Sequence, residues 1–348
     1  MERRSLLATA LAAPVASAFQ PASGLSLVKP PVLKPGDTVS CVTPSTFVVN
    51  PETRIQAERI VNALGLKAKF SANTGKRWGY LGGSVEERVA DLHAAFRDPE
   101  TKAVFCVRGG YGAAMLLDRL DYNLIRRNPK ILLGYSDITA LHLGIHQTSR
   151  IVTLHGPTVL DSLNEYTFNL LKRALFEAKP LGELKNPPER NPLKPLHPVR
   201  TMRGGKATGA LIGGNLTLIS TTMGTPWEIR TEGKILFLED VGEQPYSMDR
   251  MLTQLRLAGK FNGIKGLILG ECADCRPREF RPSFESTLSL PEVFDHVLAE
   301  LEVPVVSGLV FGHTEDQFPL PLGVEATLDA DAGTVTVLES HSAMGFTG

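Results

Sequence analysis

The segment ILLGYSDITALHLGIH, residues 131–146, runs from a short apolar stretch through a turn into a helix-like pattern. A strand that turns sharply into a helix presents the side chain at the turn, here Ser136, at the carboxyl end of a sheet, where open α/β sheets build their sites. The α/β-hydrolase elbow is written G-x-S-x-G, and Ile138 stands where that motif has its last glycine. Serine is also a preferred helix N-cap, so the local sequence alone favours capping over catalysis.

On both sides of this segment, short apolar runs alternate with helix-like patterns, which indicates an α/β fold on a largely parallel sheet. Residues 51–65 and 85–97 carry apolar positions three and four apart, as amphipathic helices do. Ser84 followed by Glu87 predicts a capping box at the start of the second helix. The other predicted strands of the first half are TVSCVTP, KAKFSA, AVFCVRG and IVTLHG.

A chain of 348 residues exceeds what one hydrophobic core usually organises, so we expect two domains. The prolines concentrated between residues 178 and 208 predict a linker or an extended crossing segment. We therefore expect a nucleophile domain over residues 25–165, a Pro-rich linker over 166–206 and a second α/β domain over 207–348. The predicted elements of the second domain include KILFLED, MDRMLTQLRLAG, GLILGE, VPVVSGL and a hairpin around an Asp-Ala-Gly turn near the end.

The charge balance gives no reason to expect a nucleic-acid partner, because Lys plus Arg and Asp plus Glu both total 37. No stretch approaches the roughly 20 apolar residues that a membrane-spanning helix needs, so we expect no membrane partner. Residues 1–24 read as a signal peptide, since Arg3 and Arg4 precede an Ala/Leu-rich run that ends in an A-x-A-like site. The expectation is export to the periplasm, by the twin-arginine route if the arginine pair is used, with a cytoplasmic protein as the alternative.

The four cysteines point to no metal centre. Cys41 and Cys106 lie in apolar, strand-like runs, where a free thiol behaves as a small hydrophobe. Cys272 and Cys275 form a single C-x-x-C, and no second Cys or Cys/His pair completes four zinc ligands. A local disulfide between these two stays open for an exported protein.

A glycine cluster at residues 108–112, RGGYG, also follows a strand-like run. Glycines let the backbone approach a ligand closely, and free N–H groups at a helix start can hold an anion or an oxyanion. The cluster has neither the Gly-Lys-Ser/Thr ending of a nucleoside triphosphate site nor the G-x-G-x-x-G dinucleotide fingerprint. The local sequence leaves a tight turn and an anion-binding turn as equal alternatives.

Acidic and imidazole groups follow apolar runs in the second half. Glu239 and Asp240 end KILFLED, and His313 follows SGLVFG. A serine needs such partners, because histidine takes the hydroxyl proton and a carboxylate fixes the histidine tautomer. Spacing alone does not choose among eight histidines, of which His155 and His313 stand at strand exits. We expect surface or packing roles for the histidines within helix-like stretches, namely His93, His142, His146 and His296.

Taken in order, these segments resemble the LD-carboxypeptidase family of serine peptidases, which includes muramoyltetrapeptide carboxypeptidases and the microcin C immunity peptidases. The resemblance runs from about residue 34 to 338, nearly all of the chain beyond the leader. It is carried by RGGYG (108–112), LLGYSDITAL (132–141), HGP (155–157), GGNL (213–216), GTPW (224–227), FLEDVGE (237–243), MDRMLTQL (248–255), and GLVFGH followed by PLPLG.

The resemblance implies Ser136 as nucleophile, Glu239 as orienting acid and His313 as general base. It implies an oxyanion hole from the backbone N–H groups of Gly109 or Gly110 and of Asp137. It also implies an N-terminal parallel sheet like that of class I glutamine amidotransferases, with a C-terminal swivelling β/β/α-type domain that supplies the acid and the base.

The expected reaction hydrolyses the amide between a diamino acid and a C-terminal D-alanine in peptidoglycan tetrapeptides, with no cofactor and no metal. A muropeptide is then the expected partner, and a homodimer is the family's expectation. The alternatives are a microcin C-type immunity peptidase that cleaves aminoacyl nucleotides, a catalytically silent muropeptide-binding protein, and an amidotransferase-like enzyme with a cysteine nucleophile.

Overall fold

Strands and helices alternate along most of the chain, as the apolar pattern predicts. The computed structural model describes residues 24–189, 191, 193–278 and 286–344. The first half contains β1 (Thr38–Val42), α1 (Pro51–Ala63), β2 (Lys67–Phe70), α2 (Val85–Arg97), β3 (Thr101–Cys106), α3 (Tyr122–Arg127), β4 (Ile131–Gly134), α4 (Thr139–Ser149), β5 (Leu154–His155) and α5 (Glu165–Phe176). The second half contains β6 (Gly182–Leu184), β7 (Arg200–Arg203), β8 (Lys206–Asn215), α6 (Leu216–Thr221), β9 (Lys234–Glu239), α7 (Pro245–Leu257), β10 (Gly266–Gly270), α8 (Leu290–Val297), β11 (Val305–Leu309), β12 (Leu320–Pro321), β13 (Glu325–Asp329) and β14 (Thr334–Val337).

The first sheet has the strand order β12-β5-β4-β3-β1-β2. Strands β1 to β5 pair in parallel, and only β12 runs antiparallel to its neighbour β5. All four residues of β4 are buried, which is typical of a parallel strand covered by helices on both faces. Ser136, the nucleophile candidate, lies two residues beyond the carboxyl end of this interior strand.

Local capping explains where the amphipathic helices begin. The predicted capping box forms at α2, where the Ser84 hydroxyl accepts from the Glu87 N–H and the Glu87 carboxylate accepts from the Ser84 N–H. Asn50 caps α1 through the N–H of Glu52. Each cap satisfies a backbone donor that the first turn of a helix leaves free.

The second sheet has eight strands in the order β6-β14-β13-β8-β9-β10-β11-β7. Its centre, β8 to β11, is parallel, and the flanking strands are antiparallel. The hairpin predicted near the end of the chain is β13–β14. Two α/β units with a parallel N-terminal sheet confirm the predicted fold class.

Residues of the two sheets contact each other at several points. Strand β12 belongs to the second half of the sequence but pairs with β5 in the first sheet. The hydroxyl of Thr139, at the start of α4, accepts from the N–H of Asn215 at the end of β8. One buried apolar cluster includes residues of both sheets, such as Leu133 and Phe237. The two units therefore pack as one body where their parallel strands end.

The segment 166–206, expected as a Pro-rich linker, contains most of α5 and the strands β6 and β7. Both strands join the second sheet, at opposite edges. Proline lacks an N–H and fixes its own φ, so it excludes regular structure only locally. The pieces of this segment that are free of proline can still form elements.

Two further expectations bear on the rest of the chain. Apart from Gly24, the predicted signal peptide lies outside the described residues. Within the described ranges, no helix is long and apolar enough to cross a membrane. Cys41, Cys106, Cys272 and Cys275 are free thiols, and all but Cys272 are buried.

Candidate active site

Ser136 occupies a sharp turn between β4 and α4. Its φ is 62°, one of three positive values among non-glycine residues in the described part of the chain. A residue with a Cβ pays about 1–2 kcal/mol for this left-handed conformation, and such strain is concentrated at functional sites. Ser136 is not the N-cap of α4, because that position is Ile138. The capping interpretation of Ser136 is therefore wrong.

The glycine turn at residues 108–112 lies against this serine. A Cβ placed on Gly109 would be 3.2 Å from the Ser136 Cβ and 3.4 Å from its Oγ. Gly110 has a φ of 114° and passes so close to Thr46 that a Cβ there would lie 2.2 Å from the Thr46 Oγ1. Glycine is required at Gly110 both for the backbone angle and for the space.

Asp137 ties the two turns together. Its side chain is buried, and Oδ2 accepts from the N–H of Ala113 at 2.8 Å. Burial raises the pKa of Asp137, and the hydrogen bond from the Ala113 N–H opposes that rise. The side chain thus holds the glycine turn beside the nucleophile turn. The two backbone N–H groups expected as oxyanion donors, of Gly110 and Asp137, belong to these linked turns.

Glu239, the last residue of β9, forms a hydrogen-bonded pair with His313, which lies four residues beyond the end of β11. The distance from His313 Nδ1 to Glu239 Oε2 is 2.8 Å, and Glu239 is fully buried. Gly312 makes room for the carboxylate, since a Cβ there would lie 2.7 Å from Glu239 Oε2. With Nδ1 donating to the carboxylate, Nε2 of the neutral ring is left as the proton acceptor.

The pKa of His313 is raised above its ordinary value. Burial alone would lower this pKa, but the hydrogen bond to Glu239 and the negative charges of Glu239, Asp240 and Asp161 outweigh it. Asp240 lies beside Glu239, and burial together with that charge raises the pKa of Asp240 to about 6. A histidine whose pKa is raised is a stronger base than a free histidine, provided that the pH is high enough to keep it neutral.

The two halves meet at Tyr135 and His313. The ring of Tyr135, the residue before Ser136, lies with its centroid 4.7 Å from that of His313. A second link lies beneath them, where His155 Nε2 bonds to the carbonyl oxygen of Phe311 at 2.7 Å. The structure thus brings the turn of Ser136 to the Glu239–His313 pair across the boundary between the sheets.

The remaining histidines have other surroundings. His155 is fully buried, and burial lowers its pKa, so its imidazole is held neutral in the protein interior. Burial lowers the pKa of His142 to about 3 and of His146 to about 4, which agrees with their predicted packing roles. His93 accepts the N–H of Asp121.

Two side chains near the site, those of Tyr135 and Arg88, are not identified as functional by the sequence alone. Tyr135 donates its hydroxyl to Asp161 at 3.2 Å, and both lie close to His313. Arg88 is buried in α2 and donates Nη1 to the carbonyl oxygens of Pro44 at 2.7 Å and Gly112 at 2.9 Å. The position of Tyr135 beside Ser136 was a usable signal, whereas Arg88 looks in the sequence like any charged residue of an amphipathic helix.

A serine at a strained strand-to-helix turn, next to a tyrosine whose ring contacts an imidazole held by a buried carboxylate, is the arrangement typical of serine hydrolases. Comparison with known proteins narrows this class. The family model described as the LD-carboxypeptidase N-terminal domain matches residues 39–156, and that of the LD-carboxypeptidase C-terminal domain matches residues 208–328. The chain belongs to the LD-carboxypeptidase family and is a serine-type peptidase.

Three relatives illustrate the similarity. The "Probable murein peptide carboxypeptidase" of Bacillus subtilis is 37% identical over 309 residues, which cover 89% of this chain and 94% of that protein. The wild-type microcin C7 self-immunity protein MccF without ligand superposes with a TM-score of 0.80 at 27% identity, covering 91% of this chain and 100% of the other. The muramoyltetrapeptide carboxypeptidase of Oxalobacter formigenes superposes with a TM-score of 0.73 at 28% identity, covering 87% and 99%.

Proposed function

We propose that this protein is a carboxypeptidase that releases the C-terminal D-alanine from peptidoglycan tetrapeptides, with Ser136, Glu239 and His313 as its catalytic residues. The observation that carries the proposal is the 2.8 Å bond between His313 and buried Glu239, set against the turn of Ser136 through Tyr135. The substrate follows from relatives that are described as murein peptide and muramoyltetrapeptide carboxypeptidases.

In the proposed mechanism, Nε2 of His313 takes the proton of the Ser136 hydroxyl as Oγ attacks the carbonyl carbon of the diamino acid. Glu239 stabilises the imidazolium that forms. The N–H groups of Gly110 and Asp137 stabilise the oxyanion, and one such donor contributes about 3–4 kcal/mol in comparable sites. His313 then protonates the leaving D-alanine amine, and water hydrolyses the acyl-enzyme with the same residue as base.

The test is the release of D-alanine from a purified disaccharide tetrapeptide, measured by mass spectrometry. Wild type is expected to release it, and Ser136→Ala to lose the activity while its circular dichroism spectrum stays unchanged. The matched substrates are the all-L isomer of the tetrapeptide and an aminoacyl sulfamoyl adenylate. Retained turnover by Ser136→Ala would refute the mechanism, and cleavage of the adenylate alone would refute the substrate.

Export and self-association belong to the same proposal. The Arg-Arg pair and the A-x-A-like site support export directed by residues 1–24, and fractionation of cells that produce the full chain tests this. A homodimer is tested by the mass of the purified protein in sedimentation. Recovery of an uncleaved chain in the cytoplasm, or of a monomer, would refute the respective part.

A further inference from the structure

The large aromatic side chains that are exposed in the described residues lie on two neighbouring segments, the loop of residues 78–81 and the glycine turn. Trp78, Tyr80 and Tyr111 are 59, 63 and 56% exposed, and the other exposed large hydrophobic residues are aliphatic. We call these three residues the aromatic rim. Exposed aromatic groups gathered in one patch mark a recognition surface, because a ring that binds nothing is better buried.

The rim is fixed to the wall of the active site. Tyr111 belongs to the glycine turn, which contacts Ser136 through Gly109, and its ring lies 5.5 Å from that of Tyr80, edge to face. Two backbone hydrogen bonds, of 3.0 and 2.9 Å, close a tight loop between Trp78 and Leu81. Leu81 in turn packs under Gly112, where a Cβ would lie 2.4 Å from its Cδ2. The rings are therefore presented at a set position beside the nucleophile.

The chemistry of the substrate restricts what the rim can bind. A carboxypeptidase that removes one alanine needs only a small subsite on the leaving-group side, so an open aromatic surface serves the acyl side. Near the rim, Lys76 is paired with Glu87. The Arg77 guanidinium lies 4.4 Å above the ring of Phe47, and Arg108 of the glycine turn is exposed. The rings themselves favour an occupant with a flat apolar face.

We propose that the aromatic rim binds the glycan to which the tetrapeptide is attached, by stacking its rings on the C–H faces of a pyranose. This inference rests on the proposed function and adds a sugar subsite to it. The negative face of an aromatic ring attracts the weakly positive C–H groups of a sugar, and the rigid rings lose little entropy on binding. A stem peptide of small and charged residues offers no comparable surface.

The first experiment compares kcat/KM for the disaccharide tetrapeptide and for the free tetrapeptide. Wild type is expected to prefer the glycan-linked substrate by about tenfold or more. Trp78→Ala and Tyr80→Ala should each lower kcat/KM for that substrate by about five- to tenfold, and change it less than twofold for the free tetrapeptide. Leu257→Ala, a substitution at a 77% exposed residue at the end of α7, is the control and should change neither value.

The second experiment needs no catalysis. Titration with the disaccharide alone should change the tryptophan fluorescence of wild type saturably, and Trp78→Ala should lose this response. Equal kcat/KM for both substrates in wild type, equal losses with both in the variants, or no fluorescence response would overturn the sugar subsite. Absence of D-alanine release from either substrate, with the fluorescence response intact, would instead refute the proposed function and leave the subsite standing.

Discussion

Replacing Ser136 by glycine should stabilise the protein relative to replacing it by alanine, although both changes remove the nucleophile. The φ of Ser136 is 62°, so alanine retains a strain of about 1–2 kcal/mol that glycine does not have. Glycine itself lowers the free energy of unfolding by about 0.5–1 kcal/mol, because the unfolded chain has greater conformational freedom at a glycine. The net difference in the free energy of unfolding should be about 1 kcal/mol in favour of Ser136→Gly.

Equilibrium unfolding in urea, followed by circular dichroism, measures this difference. At about 2.1 cal/mol/K of unfolding entropy per residue, it corresponds to about 1.5 °C in Tm for a chain of this length. Arg150, with a φ of 53°, is a matched position away from the nucleophile, and Arg150→Gly should likewise exceed Arg150→Ala. Gln56 is exposed inside α1, where the order should reverse because glycine is a poor helix former.

The reasoning would be refuted if Ser136→Ala were as stable as Ser136→Gly while the Gln56 pair behaved as stated. That outcome would mean that the turn relaxes to an unstrained conformation when the hydroxyl is absent. The expected outcome means that the strain belongs to the backbone. In that case the fold holds the nucleophile in place at a cost of stability.

Three further predictions concern groups around Ser136. Glu239→Gln removes the charge that raises the pKa of His313, so the acid limb of the pH profile of kcat/KM should move to lower pH. The value of kcat should fall by at least about a hundredfold, and an acid limb at the wild-type pH would contradict the prediction. Gly109→Ala brings a Cβ to 3.2 Å from the Ser136 Cβ and should lower turnover with little loss of stability. Gly110→Ala, at a φ of 114° and with its Cβ 2.2 Å from Thr46 Oγ1, should lower turnover and also destabilise the fold by about 2 kcal/mol. Thermal unfolding and D-alanine release, measured on both variants, separate the two outcomes. Arg88→Met leaves the carbonyl oxygens of Pro44 and Gly112 without their buried donor. The substitution should lower the free energy of unfolding by about 2–3 kcal/mol and remove most of the activity. A urea midpoint equal to that of wild type would rule this out.

The sequence was sufficient for the elements that depend on local chemistry. Helix α2 spans Val85–Arg97 as predicted, because its capping box and apolar spacing lie within the same 14 residues. The apolar run before Ser136 gave β4, and the Asp-Ala-Gly turn gave the β13–β14 hairpin. Family resemblance, carried by motifs in a fixed order, pointed to Ser136, Glu239 and His313 as the residues of the site.

Local chemistry was not sufficient where a residue's role depends on distant partners. Capping and catalysis at Ser136 were both open until the backbone angle was known, since φ at one residue is set by the packing on either side of it. The pairing of β12 with β5 joins residues that are far apart in sequence, and no local pattern encodes it.

Residue types, their spacing and their order therefore determined the class of fold and the family of this protein, because those depend on interactions between near neighbours and on motifs along the chain. Only the tertiary structure decided that His313 meets Glu239 at 2.8 Å beside the turn of Ser136, and that the exposed rings of Tyr80 and Tyr111 lie 5.5 Å apart. Those distances depend on how two sheets pack together, and packing is a property of the whole chain.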